Sequence, residues 1–189
     1  MSEPRLYVWR GLEEWLAEAA LIAMDGDSLT ASGTQFGEEP EPYRVDYELA
    51  TGERFVTRRA SLTSRTAAGE RRLELVRGGD GGWAANGEPV PDVQGALDCD
   101  LANCPVTNTM PVLRERLREG GASRDFVMAW ISVPDLTVHR SEQRYEPIDD
   151  HTVRFVSLDS DFRAELVLDD RGLVVRYPRM AERLSSGIA

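Results

Sequence analysis

Residues 43–49 read YRVDYEL, and their side chains alternate between apolar and charged. The apolar positions are Tyr43, Val45, Tyr47 and Leu49. Because successive side chains of a β-strand point to opposite faces, this pattern predicts a strand with one face buried and the other in water.

The same alternation elsewhere in the chain extends this prediction to a sheet. It recurs at 73–76, 153–158 and 162–168. Turn-forming pairs such as Asp25-Gly26 and Asn86-Gly87 lie between the runs. Short strands joined by tight turns are typical of antiparallel sheets, and the chain is therefore expected to be mainly β.

Length and composition indicate a globular chain. It has 189 residues, of which 41% are hydrophobic and 29% charged. This size suits one core or two packed sheets, and residues 1–189 are expected to form a single domain.

Charge and hydropathy exclude several classes of partner. The net charge is −11, and all 22 basic residues are arginine. The resulting field repels phosphate backbones, so no nucleic-acid partner is expected. No run approaches the roughly 18 apolar residues of a membrane-spanning helix, so no membrane span is expected. The opening MSEPRLYVWRGLEEW lacks the features of a secretory signal, which favours a cytoplasmic protein.

The strongest helical candidate covers residues 111–119. Pro111 suits a first turn, and Gly120-Gly121 suits the end of a helix. The side chains of Thr107, Asn108 and Thr109 are of the kinds that cap helices. Its expected buried face carries Met110, Leu113 and Leu117.

Residues 12–24 support two interpretations. Apolar residues from Leu12 to Ala23 follow helical spacing. However, Asp25-Gly26 followed by residues 29–33 resembles a hairpin whose first arm would be residues 19–24. We favour a strand for the second half of the segment.

The predicted strand over residues 126–133 is apolar on both sides. Phe126, Met128 and Trp130 would project to one side, and Val127, Ala129 and Ile131 to the other. Antiparallel sheets usually expose one face to water. Either a helix covers the second side, or that side lines an enclosed apolar cavity, and the pattern does not distinguish packed side chains from a ligand.

The stretch DCDLANCPVTNTMPVLRERL, residues 98–117, gathers acid, thiol, amide and guanidinium groups. A strand over residues 96–102 would place Asp98 and Asp100 on one face, about 6–7 Å apart. Such a separation approaches that of the carboxylates used in glycoside hydrolysis, although same-face acids are common on solvated strands.

Asp100 has a structural interpretation as well. We expect its carboxylate to accept a charge-assisted hydrogen bond from Arg114 or Arg116 of the following helix. With Thr107 and Pro111 it would form a structural corner between strand and helix. The amides of the first helical turn could also receive an anion or a sugar hydroxyl group.

The cysteines and histidines do not form a compact set of metal ligands. Cys99 and Cys104 are the only cysteines, and we expect both to be reduced and structural. His139 and His151 lie twelve residues apart. No metal or cofactor is expected, because zinc requires a closer grouping of such side chains.

Several segments together resemble a known family. The most specific are Asp100-Leu101, Pro105, the Thr107-Asn108-Thr109 run with Pro111, Gln143 with Tyr145, Gly172-Leu173-Val174 and Tyr177-Pro178. From about residue 5 to residue 184 the chain resembles bacterial proteins called putative glycolipid-binding proteins. The resemblance implies a mainly antiparallel sheet curled into an open half-barrel or barrel-like fold, with one or two short helices. It implies no established ligand-binding or catalytic residue.

The doubly apolar strand and the resemblance lead to our main hypothesis. We expect a binding protein rather than an enzyme, which holds an amphipathic molecule, such as a lipid or glycolipid, in the concavity of its sheet. The candidate wall residues are Met128 and Trp130, and the candidate rim residues are Asn108, Arg114, Gln143 and Tyr145. Six aromatic residues could stack on a sugar or simply fill the core: Trp9, Trp15, Trp83, Trp130, Tyr145 and Tyr177.

Two alternatives remain open. A small hydrolase or isomerase would use Asp98, Asp100 or His139 inside the same concavity. An interaction protein would form a homodimer through an exposed sheet edge or apolar face.

Overall fold

Fifteen strands make up most of the regular structure in the described part of the chain. The structure is a computed structural model that describes the backbone of residues 3–188 and the side chains of residues 3–184. Residues 1, 2 and 189 of the expected domain lie outside the described residues. The strands are β1 (Arg5–Gly11), β2 (Leu16–Asp25), β3 (Ser28–Gly37), β4 (Tyr43–Thr51), β5 (Thr57–Thr66), β6 (Gly69–Arg77), β7 (Trp83–Ala85), β8 (Glu88–Pro89), β9 (Asp98–Leu101), β10 (Arg124–Ile131), β11 (Val138–Pro147), β12 (Thr152–Ser157), β13 (Arg163–Leu168), β14 (Val174–Tyr177) and β15 (Ala181–Ile188).

All of these strands belong to one sheet. Its order is β8-β7-β6-β5-β4-β3-β2-β1-β15-β14-β13-β12-β11-β10-β9, so almost every strand lies beside its neighbour in the chain. β1 pairs with β15, which joins the two ends of the chain at the middle of the sheet. β8 and β9 are the edges, and the sheet is therefore not closed into a barrel. The predicted fold, a mainly antiparallel open sheet, is confirmed.

One pair among the described strands departs from the antiparallel pattern. β9 and β10 are parallel, with Asp100 beside Trp130. Parallel neighbours need a long crossover, and the helical residues between 105 and 119 provide it.

The sheet is curled, so that a strand from its second half packs against strands from its first half. Ala129 and Ile131 of β10 share a core cluster with Val45 and Leu75, which lie on β4 and β6. Met128 projects from the opposite side of β10 and belongs to a second core cluster. β10 is thus packed on both sides, which explains its doubly apolar sequence.

The helical residues lie on the inner face of the sheet and join the two clusters. They form a 3-10 turn at Pro105–Asn108, the helix α1 (Thr109–Arg114) and a second 3-10 turn at Leu117–Glu119. Further 3-10 turns lie at Glu53–Phe55 and Pro91–Val93. Among residues 3–188, no helix has the length and apolar character needed to cross a bilayer.

The predicted helix over residues 111–119 is wrong in its limits. α1 ends at Arg114, because Arg116 takes a left-handed conformation with φ of 50°. The expected caps are also wrong. Asn108, which precedes α1, makes no side-chain capping bond, the Thr107 hydroxyl donates to Asp100 instead, and Thr109 is already the first residue of the helix. The prediction of a buried face holds for Met110 and Leu117.

The two interpretations of residues 12–24 are resolved in favour of the hairpin. Residues 16–25 form β2, which pairs with β3 through a tight turn at Gly26. The helical spacing was misleading because Glu18, Ala20 and Ile22 all lie on the buried face of the strand. Alternation with period two accounts for the burial better than the helical period.

A buried polar cluster crosses the inner face of the first strands. The Tyr47 hydroxyl of β4 donates a hydrogen bond to Glu18 Oε1 of β2, and the Cys104 thiol donates to the same oxygen at 3.1 Å. Gly33 of β3 lies between the two strands, where a Cβ would come within 2.6 Å of the Tyr47 ring. A glycine is therefore required for the tyrosine to reach Glu18. Burial raises the pKa of Glu18 to about 7, against the opposing effect of its two hydrogen bonds.

Both cysteines are free and buried, as expected. Burial raises the pKa of the Cys99 thiol to about 12. It also raises the pKa of Cys104, and the nearby Glu18 adds to that shift. Thiols of this kind are poor nucleophiles, because the thiolate is the reactive form.

Candidate functional site

A cavity of about 610 Å³ lies against the inner side of β10, β11 and β12, and we call it the inner cavity. Its volume falls within the range of about 300–1,000 Å³ that is common for ligand pockets. Its lining comes from the region around the start of β2, from the end of β9 and the loop that follows it, and from the second half of the chain. The lining residues are Glu13, Glu14, Leu16, residues 100–104, Asn108, Trp130, residues 139–141, Gln143, Phe155, Ser157, Asp159, Ser160, Phe162, Tyr177, Arg179 and Met180.

The floor of the inner cavity is a hydrogen-bonded group of polar side chains. The Thr107 hydroxyl donates to Asp100 Oδ1, and Gln143 Nε2 donates to Asp100 Oδ2, each at 2.7 Å. The Tyr145 hydroxyl donates to Asn108 Oδ1 at 2.8 Å. Asn108 and Gln143 are almost fully buried, so these contacts fix their positions beneath the cavity.

Asp100 is the charged group of this floor. Asp100 lines the inner cavity and is only partly buried. Burial raises the pKa of Asp100, while the hydrogen bonds from Gln143 and Thr107 lower it. Both partners are neutral, and each carboxylate oxygen keeps a lone pair for a further donor.

The expected ion pair between Asp100 and an arginine of the helix is wrong. Arg114 of α1 binds Asp98 instead, through two parallel hydrogen bonds of 2.8 and 2.6 Å. Both side chains are buried, and the guanidinium also lies 5.4 Å from the centre of the Phe126 ring. The predicted structural corner therefore has two parts. Asp98 binds α1 through Arg114, and Asp100 binds Thr107 in the floor of the cavity.

Aromatic rings form one wall of the inner cavity. The ring centres of Phe155, Phe162 and Tyr177 lie 5.9–6.3 Å from one another. Trp130 lines the cavity as well, with its ring centre 5.8 Å from that of His139. Aromatic faces of this kind bind the apolar faces of sugar rings and alkyl chains.

The rim of the inner cavity carries charges of both signs. Arg179 forms an ion pair with Glu13 at 3.2 Å and lies 6.0 Å from the centre of the Phe162 ring. Arg140 forms an ion pair with Glu142 at 2.8 Å. Both arginines are thus already matched by carboxylates.

The structure divides the six predicted ligand-binding residues into two groups. Asn108, Trp130 and Gln143 line the inner cavity. Arg114, Met128 and Tyr145 are buried behind its surface. Tyr145 acts on the cavity indirectly, by fixing Asn108.

Two aromatic residues of the wall were missed by the sequence analysis. Phe155 belongs to the apolar face of β12, and Phe162 precedes β13. The alternation at 153–158 placed Phe155 on a buried face, but it gave no sign that this face meets Tyr177 across the sheet.

The alternative catalytic groups are only partly brought together. Asp98 is paired with Arg114 and does not line the inner cavity. Asp100 and His139 both line it. His139 Nε2 lies 2.7 Å from the Thr137 hydroxyl oxygen. Within residues 3–184, no cluster of three His, Cys, Asp or Glu side chains is arranged to hold a metal ion.

A second depression of about 610 Å³ lies on the opposite face of the sheet, over β1 to β6. Its carboxylates include Asp46, which forms an ion pair with Arg65 at 2.7 Å, and Glu74, which is paired with Arg59. These groups are satisfied by exposed arginines. The inner cavity is therefore the stronger candidate site.

Fold and cavity together define an open, curled β-sheet protein with an aromatic-walled pocket on its inner side. A family model described as putative glycolipid-binding matches residues 6–183, and the chain belongs to this family. The chain is also similar to the crystal structure of a DUF1089 family protein from Pseudomonas aeruginosa, with 30% sequence identity and a TM-score of 0.77. That match covers 93% of this chain and 95% of the other. A comparison with curated proteins produced no match.

Proposed function

We propose that this protein binds an amphipathic ligand with a sugar head group in the inner cavity, without altering it chemically. The observation that carries the proposal is that one cavity of about 610 Å³ has both an aromatic wall and a buried polar floor. The family description supports the same class of ligand.

The floor matches the hydrogen-bonding needs of a sugar. Asp100 can accept from hydroxyl groups, and the Asn108 amide can donate to them with a hydrogen that its 3.3 Å bond to the Cys104 carbonyl leaves free. A sugar ring that forms these hydrogen bonds can also stack its apolar face on the Trp130 ring. Leu16, Phe162 and Met180, which also line the cavity, would contact the first carbons of the tail.

Octyl glucoside, kept below its micelle concentration, is the probe that tests this proposal by isothermal titration calorimetry. We expect saturable binding to the wild-type protein and weaker binding of glucose or octanol alone, because each lacks half of the contacts. Trp130→Ala should weaken octyl glucoside binding about tenfold, equivalent to about 1.4 kcal/mol, because one stacking surface is lost.

Phe36→Ala is the matched control, because Phe36 is a partly exposed aromatic residue of β3 outside the cavity. Its affinity for the probe should equal that of the wild type. Absence of saturable binding, or equal losses in the two variants, would contradict the proposal. Release of glucose during the titration, abolished by Asp100→Asn, would instead favour the hydrolase alternative.

A further inference from the structure

The inner cavity contains a carboxylate that forms no ion pair with any side chain that the structure describes. Within residues 3–184, Asp100 accepts side-chain hydrogen bonds only from the neutral groups of Thr107 and Gln143. Arg114, which lies on the neighbouring helix, is bound to Asp98. Because a buried carboxylate is stabilised by a nearby positive charge, the floor is most complementary to a ligand that supplies one.

The other charged side chains that line the inner cavity also favour a positively charged ligand. Four carboxylates line it, those of Glu13, Glu14, Asp100 and Asp159, against two arginines, Arg140 and Arg179. Ion pairs with glutamates occupy both arginines. An anionic head group would therefore enter a cavity whose lining carries an excess of negative charge.

The aromatic wall adds a third contribution. Trp130 and Tyr177 line the same cavity as Asp100. An ammonium group near such rings is attracted to their faces, and the attraction grows when water is excluded. The cavity thus offers an anion and aromatic faces to one bound group.

From these features we infer that the inner cavity selects sugar head groups that carry a protonated amine over neutral and anionic head groups, with Asp100 as the residue that sets this preference. The inference rests on the proposed function and specifies its ligand class. The amine would donate charge-assisted hydrogen bonds to the free lone pairs of Asp100, while a neutral sugar donates only hydroxyl hydrogens.

The test compares four probes with the same octyl chain: octyl glucosaminide, octyl N-acetylglucosaminide, octyl glucoside and octyl glucuronide. Titrations at about pH 6 keep an alkyl amine protonated. We expect the glucosaminide to bind the wild-type protein at least about tenfold more tightly than its N-acetylated counterpart, and the glucuronide to bind most weakly.

Asp100→Asn should bring the ratio of amine to N-acetyl affinity close to one. Asp125→Asn is the control, because it removes one negative charge from an exposed residue outside the cavity and should keep the wild-type ratio. The ranking of the four probes by the wild-type protein is decisive even if Asp100→Asn fails to fold.

Equal affinity of the wild type for the amine and N-acetyl probes, or tightest binding of the glucuronide, would overturn the inference and leave the proposed function intact. Lack of binding of all four probes would overturn both. An unchanged amine preference in folded Asp100→Asn would overturn the role of Asp100.

Discussion

Replacing Glu18 by glutamine should change how the stability of this protein depends on pH. Glu18 is fully buried on β2, where Tyr47 and Cys104 donate to one of its oxygens. Glutamine has nearly the same shape and remains neutral at every pH. The variant therefore removes the ionisation of Glu18 and keeps an acceptor for both donors.

The magnitude follows from the shift of the Glu18 pKa from 4.5 to about 7. Between these values the folded protein holds a proton that the unfolded chain has released, so the free energy of unfolding falls as pH rises. Each pKa unit corresponds to about 1.4 kcal/mol, and the total loss is about 3 kcal/mol. This stability is fully present below the unfolded pKa and is lost as pH rises through the folded one.

Urea denaturation, followed by circular dichroism at intervals from about pH 5 to about pH 8.5, measures the effect. Because part of the total is already lost at about pH 5, the difference in unfolding free energy between Glu18→Gln and wild type should grow by about 2.5 kcal/mol in favour of the variant over this range. Glu48→Gln is the control, because Glu48 is an exposed glutamate of β4, and its difference from wild type should stay nearly constant. Parallel pH profiles for Glu18→Gln and wild type would refute the reasoning.

Three further predictions concern stability and reactivity. Arg114→Met leaves the buried carboxylate of Asp98 unpaired and should lower the free energy of unfolding, measured by urea denaturation, by about 3–5 kcal/mol. A loss below about 1 kcal/mol is typical of exposed ion pairs and would contradict the burial of this pair. Gly33→Ala should cost about 1–3 kcal/mol because its methyl group meets the Tyr47 ring, whereas Gly79→Ala, with open space around it, should change stability little in the same assay. Both cysteines should react with a disulfide reagent only as the protein unfolds, and rapid labelling of the native protein would be inconsistent with their burial.

The strands were predictable because their pattern is local. A strand with one buried face must alternate, and the run at 43–49 coincides with most of β4. The helix was predicted less well. Its end at Arg114 depends on a left-handed residue two positions later, which no composition rule requires at an arginine.

The cavity was predictable only in part. Asn108, Trp130 and Gln143 were identified from the sequence, and they meet at one site. Met128 was assigned to the wall because it lies on the same side of β10 as Trp130, yet the curl buries it in the second core cluster. Alternation indicates the side of a strand, but it does not indicate what faces that side. The homodimer and cytoplasmic location stay predictions.

By itself, the sequence determined that this chain forms a mainly antiparallel sheet of short strands, since side-chain direction along a strand is fixed by local geometry. Only the tertiary structure decided which acid meets Arg114 and which acid faces the cavity. Asp98 and Asp100 are two residues apart and share one side of β9, but the position of α1 along that strand places the Arg114 guanidinium against Asp98, while Asp100 is bound by Thr107 and Gln143. Such choices depend on contacts between residues distant in the chain, which the curl of the sheet creates.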